Sequence, residues 1–256
     1  VTFLTNEAAI SETQTLWVWN QGNGTNGEYE VMNIADAMVI APGQGFFVKA
    51  NAAGGTFNFT EGNQNHNSGS DSFQKSAGKT EIKLWITDGK IKNYNKIYYL
   101  DNSTTGFDVG YDGELFNSSS PFAIYSHLIT DNQGKNYQIQ SLPKSDYENM
   151  VIPIGVNAAA DKEITFTTEA LNLPSGIKVF LEDKLTNTFT RLDEENSNYK
   201  VNLTEKSNGI GRFYLHTKSS ALSTDTFSLE NISIYKTNNY NLKVAGVSQG
   251  KASIKL

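Results

Sequence analysis

The chain has 256 residues, a formal net charge of −6, 12 Tyr, 14 Phe and 3 Trp, and no cysteine. The missing thiols exclude disulfides, zinc–thiolate sites and thiol catalysis, and the acidic balance argues against a nucleic-acid partner, whose phosphates call for a basic face. The length holds one large or two ordinary domains, and no apolar run approaches the ~20 residues of a membrane span.

Charged residues make up only 19% of the chain, with Asn, Ser, Thr and Gly in their place. Aromatic and β-branched residues suit pleated surfaces, and Asn and Gly suit corners, so this balance points to an all-β protein. Short apolar runs appear first at residues 16–19, 38–40, 45–50 and 56–60. In the first, Trp17 and Trp19 share one strand face with Val18 opposite. Aromatic platforms of this kind bind sugar rings, and with Tyr98 they form a candidate ligand surface; core packing is the more ordinary use of a Trp. Residues 61–72 contain no apolar side chain and read as a solvated linker.

Alternation resumes with Ile82, Leu84 and Ile86 on one face. It recurs at Ile177, Val179 and Leu181; at Tyr199, Val201 and Leu203; at Phe213 and Leu215; at Ile232 and Ile234; and at Leu242 and Val244. Period two over short segments separated by turn residues is the pattern of sandwiches and barrels, and no amphipathic helix of three turns is visible. A second polar break at residues 218–225 divides the chain into a 1–70 β module, a 71–219 β-sandwich and a 220–256 segment too short to bury a core alone. The opening Val1-Thr2-Phe3 has no signal-peptide pattern, and the chain reads as a mature or trimmed piece of a longer protein.

Residues 99–116 stand apart. Asp101, Asp108, Asp112 and Glu114 lie among Gly106, Gly110 and Gly113 and the rings of Phe107, Tyr111 and Phe116. Asp108, Asp112 and Gly113 fit the first, fifth and sixth positions of an oxygen-rich calcium loop, but Gly110 and Ser119 stand at the third and twelfth, where ligands belong. Calcium is the one cofactor suggested; the competing reading is that the aspartates cap turns. Either way the expectation is an ordered loop with Phe107 and Phe116 buried and the carboxylates near the surface. Glu182-Asp183-Lys184 reads as a solvated turn or as one ion pair with Lys184, with adjacent carboxylates on opposite faces and no paired acid–base site. Asp193-Glu194-Glu195 reads as an exposed charge run. His66, His127 and His216 show no metal-ligand spacing, and no Ser sits in a nucleophile motif, so no catalytic residue is assigned.

Six segments in order carry a family resemblance: residues 40–50 (Ile-Ala-Pro-Gly-Gln-Gly-Phe-Phe-Val-Lys-Ala), 106–116 (Gly-Phe-Asp-Val-Gly-Tyr-Asp-Gly-Glu-Leu-Phe), 137–143 (Tyr-Gln-Ile-Gln-Ser-Leu-Pro), 152–156 (Ile-Pro-Ile-Gly-Val), 179–186 (Val-Phe-Leu-Glu-Asp-Lys-Leu-Thr) and 212–216 (Arg-Phe-Tyr-Leu-His). Together they resemble the C-terminal region of large surface proteins of the Bacteroidota, cargo of the type IX secretion system. The resemblance implies tandem jelly-roll or immunoglobulin-like sandwiches without catalysis, serving as stalk and sorting region on the outer face of the outer membrane. Asn231, Ile232, Ser233, Ile234 and Tyr235, with Leu242 and Val244, look like the opening of that system's sorting domain. The partners implied are the outer-membrane shuttle and translocon. The alternative function is a carbohydrate-binding or adhesive module, with surface glycans as partners and calcium as an aid.

Overall fold

The structure, a computed structural model, describes residues 11–20, 28–36, 40, 43–63, 79–117, 119–219, 233–236 and 242–245. Strands dominate, and the helices among the described residues are two single 3-10 turns, Ile34–Asp36 and Glu61–Asn63. The fold is all-β. Among the described residues no helix is long and apolar enough to cross a membrane.

The main body is an eleven-stranded sheet built from β4 (Thr80–Thr87), β5 (Lys92–Leu100), β6 (Gly113–Glu114), β7 (Ala123–Ser126), β8 (Tyr137–Pro143), β9 (Val151–Asn157), β10 (Lys162–Leu171), β11 (Lys178–Asp183), β12 (Thr188–Arg191), β13 (Tyr199–Leu203) and β14 (Phe213–Lys218). Its order is β12-β11-β14-β9-β7-β8-β5-β4-β10-β13, with β6 on β8. The β4–β5 hairpin turns on Asp88, whose carboxylate accepts the amides of Lys90 at 3.0 Å and Ile91 at 2.9 Å. The β5–β8 pairing is parallel, Ile97 opposite Gln140 and Tyr99 opposite Leu142.

The sheet bends over itself into a sandwich that approaches a barrel, around one core. Alternation explains which residues enter it. Ile82, Leu84 and Ile86 of β4, Ile97 and Tyr99 of β5, Ile164 and Phe166 of β10 and Val179 and Leu181 of β11 all point inward and are buried. Each such side chain contributes about 1.5–3 kcal/mol on leaving water. On β5 the even positions, Tyr94, Lys96 and Tyr98, take the opposite face, yet they too are buried. Trp85 of the neighbouring strand packs on Tyr94, and a second layer covers Lys96 and Tyr98.

That layer is a small antiparallel sheet, β2-β1-β3, of β1 (Ser11–Asn20), β2 (Glu28–Met32) and β3 (Phe46–Ala50). A register shift between Ser11 and Leu16, with Gln14 at φ 53°, marks a bulge in β1. One face carries Leu16, Val18 and Met32 with Ile40, Phe46 and Val48. The other carries Trp17 and Val31, which meet Tyr98 and Ile139 of the main sheet. The apolar run at residues 56–60 forms no strand, and among the described residues no strand pairs with it. After the sandwich, β15 (Ser233–Lys236) and β16 (Leu242–Ala245) pair antiparallel as a sheet of their own among the described residues.

Candidate functional site

The aspartate loop is where the small sheet seats. Asp108 closes the turn: its carbonyl accepts the amides of Tyr111 at 3.0 Å and Asp112 at 2.9 Å, and its carboxylate accepts the amide and hydroxyl of Thr104 at 2.6 and 3.0 Å. Asp112 is fully buried and accepts the amides of Asp108 at 2.7 Å and Ser141 at 2.6 Å. Burial pushes its carboxyl up to about 7, against the pull of those two donors. Gly110 donates its amide to Thr13 at 2.9 Å and accepts the amide of Ile34 at 2.9 Å, locking the loop to the β1 bulge. Its φ is +81°, and a Cβ there would overlap Ile34. A Cβ at Gly113 would overlap Val31 of β2. The glycines permit close approach of two sheets.

This geometry separates the proposed calcium ligands. Asp101 lies at the exposed end of β5, 3.9 Å from Lys144. The Glu114 carboxylate is held by Lys49 at 3.3 Å and Lys135 at 2.8 Å, which outweigh its burial and keep it below the usual range. Only Asp108 and Asp112 come together, and both carboxylates accept backbone amides, as turn capping requires. Among the described residues no group of three or more His, Asp or Glu is placed to hold a metal. The expected positions of the loop side chains are reversed in part: Phe107 and Phe116 are 37% and 40% exposed, while Asp112 is buried. Phe107 meets Tyr137, and Phe116 meets Trp17, Tyr29 and Phe47, each with part of its ring left open, while Asp112 reaches the Ser141 amide of β8.

Beside the loop runs an ionic seam. Asp36 ends the 3-10 turn and accepts the Tyr98 hydroxyl at 2.6 Å, the Asn33 amide at 2.9 Å and the Lys79 ammonium at 2.9 Å. Lys96 pairs with Glu30 at 2.9 Å. Burial pushes the Asp36 carboxyl up, but Lys96, Lys79 and Tyr98 outweigh it and hold it below the usual range. Glu30 is held low in the same way, mainly by Lys96 against its burial. Burial pulls Lys96 down, and Asp36 and Glu30 more than reverse it. The seam is charged and paired.

Trp17 and Tyr98, proposed as ligand platforms, belong to this seam. Trp17 donates its indole N–H to the Glu114 carbonyl at 2.9 Å, and both rings are buried, leaving no face for a sugar. Trp19, two residues on, emerges at the edge and is 42% exposed. It stands edge-on to Tyr29, with centroids 5.0 Å apart; Tyr29 lies 4.4 Å from Phe116 and 5.3 Å from Phe47, and Phe47 lies 5.3 Å from Phe116. Phe47 is 50% exposed. The result is an aromatic cluster open to water, bordered by Lys49, two positions along β3, and by Glu114 and Lys135. Sequence reasoning reached Trp19 and missed Tyr29, Phe47 and Phe116 as its companions. Their parity was readable, but their neighbours depend on the β1–β2 and β1–β3 registers.

The other candidates are structural. Glu182 and Asp183 are not a solvated turn: both are buried, on opposite faces of β11. Glu182 bonds His216 at 2.8 Å and makes the other expected contact, the ion pair with Lys184, at 2.9 Å. Asp183 takes both ends of the Arg212 guanidinium, at 3.0 and 2.8 Å, and the Tyr199 hydroxyl at 2.8 Å. In the 193–195 run Asp193 is partly buried, bonding Arg191 and the Val179 amide, while Glu194 and Glu195 are exposed. His127 contacts Asn136 at 2.9 Å, its imidazole pulled down by burial. His66, Asn231 and Ile232 lie outside the described residues. Ser233, Ile234 and Tyr235 fall on β15 and Leu242 and Val244 on β16, with Ile234 opposite Val244.

No curated protein and no solved structure matches the chain. A family model described as a domain of unknown function, DUF8693, matches residues 2–216. That span takes in both sheets of the seam and the aromatic cluster, and on it the chain belongs to the DUF8693 family.

Proposed function

We propose that this chain is a non-catalytic module of a secreted cell-surface protein exported by the type IX secretion system. The small sheet and the sandwich make a firm support, and the segment from Asn231 onward takes part in sorting. The observation that carries this reading is the strand pair β15–β16, which among the described residues forms a sheet of its own at the place where the sequence resembles a sorting domain. The chemistry of the rest agrees with it. The buried carboxylates of Asp36, Asp112, Glu182 and Asp183 are each taken up by the protein's own donors, as in a scaffold. The partners on this reading are the outer-membrane shuttle and translocon, and the location is the outer face of the outer membrane.

The test is a fluorescent reporter joined to the N-terminus of the chain and expressed in a type IX-competent bacterium. The reporter is expected outside the cell, and deletion from Asn231 onward is expected to retain it inside. Export that survives the deletion would place the signal elsewhere and overturn the assignment.

A further inference from the structure

The Trp19, Tyr29, Phe47 and Phe116 cluster is an exposed apolar surface without an assigned role, and exposed rings in contact with one another mark binding surfaces more often than chance. We propose that it binds a neutral, soluble polysaccharide chain, the rings taking the apolar faces of successive sugars and the bordering charged groups taking their hydroxyls. The proposal rests on the reading of the chain as a surface module only for its biological setting.

The border chooses the ligand. Glu114 lies between Lys49 and Lys135, and Lys49 also meets Glu12 at 3.2 Å, so two ammonium groups and two carboxylates stand in one neutral chain of ion pairs. A strongly charged ligand gains little net attraction there. A purely apolar partner would strip water from these groups and offer nothing in return. Sugar hydroxyls both donate and accept, so they replace that water bond for bond.

The tilt of the rings narrows the choice further. Neighbouring planes meet at 68° for Trp19 and Tyr29, 76° for Tyr29 and Phe47, and 44° for Phe47 and Phe116. Such a stepped surface suits a twisted single chain and cannot lie flush on a flat crystalline one. Tyr29, at the centre, touches Trp19, Phe47 and Phe116 and holds the steps in place.

The purified full chain is run by affinity electrophoresis through gels containing soluble mixed-linkage β-glucan, xylan or mannan, with alginate as the anionic comparison and crystalline cellulose in a pull-down. Retardation by at least one neutral soluble glycan is expected, unchanged in high salt. Trp19→Ala and Phe47→Ala are each expected to weaken it about tenfold, and Phe59→Ala, an exposed ring outside the cluster, is expected to leave it unchanged. Should either variant lose its fold, tryptophan emission of the wild-type chain on titration with the retarding glycan must still shift. No retardation by any neutral glycan, binding to alginate or cellulose alone, or dimerisation abolished by Phe47→Ala would each overturn the proposal. The assay uses no secretion step, so its failure and a failure of the export reading are told apart.

Discussion

The hydroxyl of Tyr98 donates to the carboxylate of Asp36 at 2.6 Å, joining the main sheet to the corner that follows β2. A hydrogen bond to a buried charge is worth about 1.5–3 kcal/mol, so Tyr98→Phe is expected to lower stability by that amount in urea unfolding. Lys96→Met should do more, about 3–5 kcal/mol, because it leaves Glu30 and Asp36 buried with less positive charge.

Gly113→Ala is expected to force the two sheets apart. The added methyl meets Val31, whose β-branched side chain has little room to turn, and overpacking of this kind costs about 1–3 kcal/mol. Trp17 sits in the same seam, so its fluorescence should move to the red as the melting temperature falls. Gly45→Ala, with open space around it and no left-handed backbone, should change neither.

Asp112 gives the protein a pH dependence of defined sign. Its carboxyl titrates near 3.9 in an unfolded chain and at about 7 in the folded protein, because burial disfavours the charge. The folded state therefore holds the proton more tightly. The stabilisation it gives is complete below about pH 4 and is lost as pH rises through 7, on the order of 4 kcal/mol in all. Asp112→Asn should flatten this part of the profile, read from urea midpoints between pH 4.5 and 8.

Asp183→Ala is expected to cost about 3–5 kcal/mol, since it removes the partner of a guanidinium held at both ends and frees the Tyr199 hydroxyl. Thermal unfolding measures it. A loss within 0.5 kcal/mol, the usual range for an exposed turn, would refute the buried assignment.

The strands were legible because their chemistry is local. Ile82, Leu84 and Ile86 announce their face in the sequence, and so do Val179 and Leu181. The seam was not, because it is made of residues far apart in the chain: Asp112 meets Ser141, Trp17 meets Glu114, Lys96 meets Glu30. Asp112 looks like any surface aspartate until the amide of Ser141 is known to be waiting. Trp17 and Trp19 illustrate the limit well. Their spacing puts both on one strand face, but only the seating of that face on the main sheet decides that one is buried and the other open.

The seat of the small sheet carries a kinetic consequence. It is assembled from β5, β6, β8 and the loop through Gly110, and β5 is itself held by β4, which pairs with β10. β1, β2 and β3 precede the main sheet in sequence, yet they have nothing to dock on until partners as distant as β10 have found their places. Pairings of such sequence separation close slowly, in milliseconds to seconds for β-rich folds. The small sheet should therefore be the last to settle, so in refolding from urea the burial of Trp17 should lag behind the signal of the main sheet.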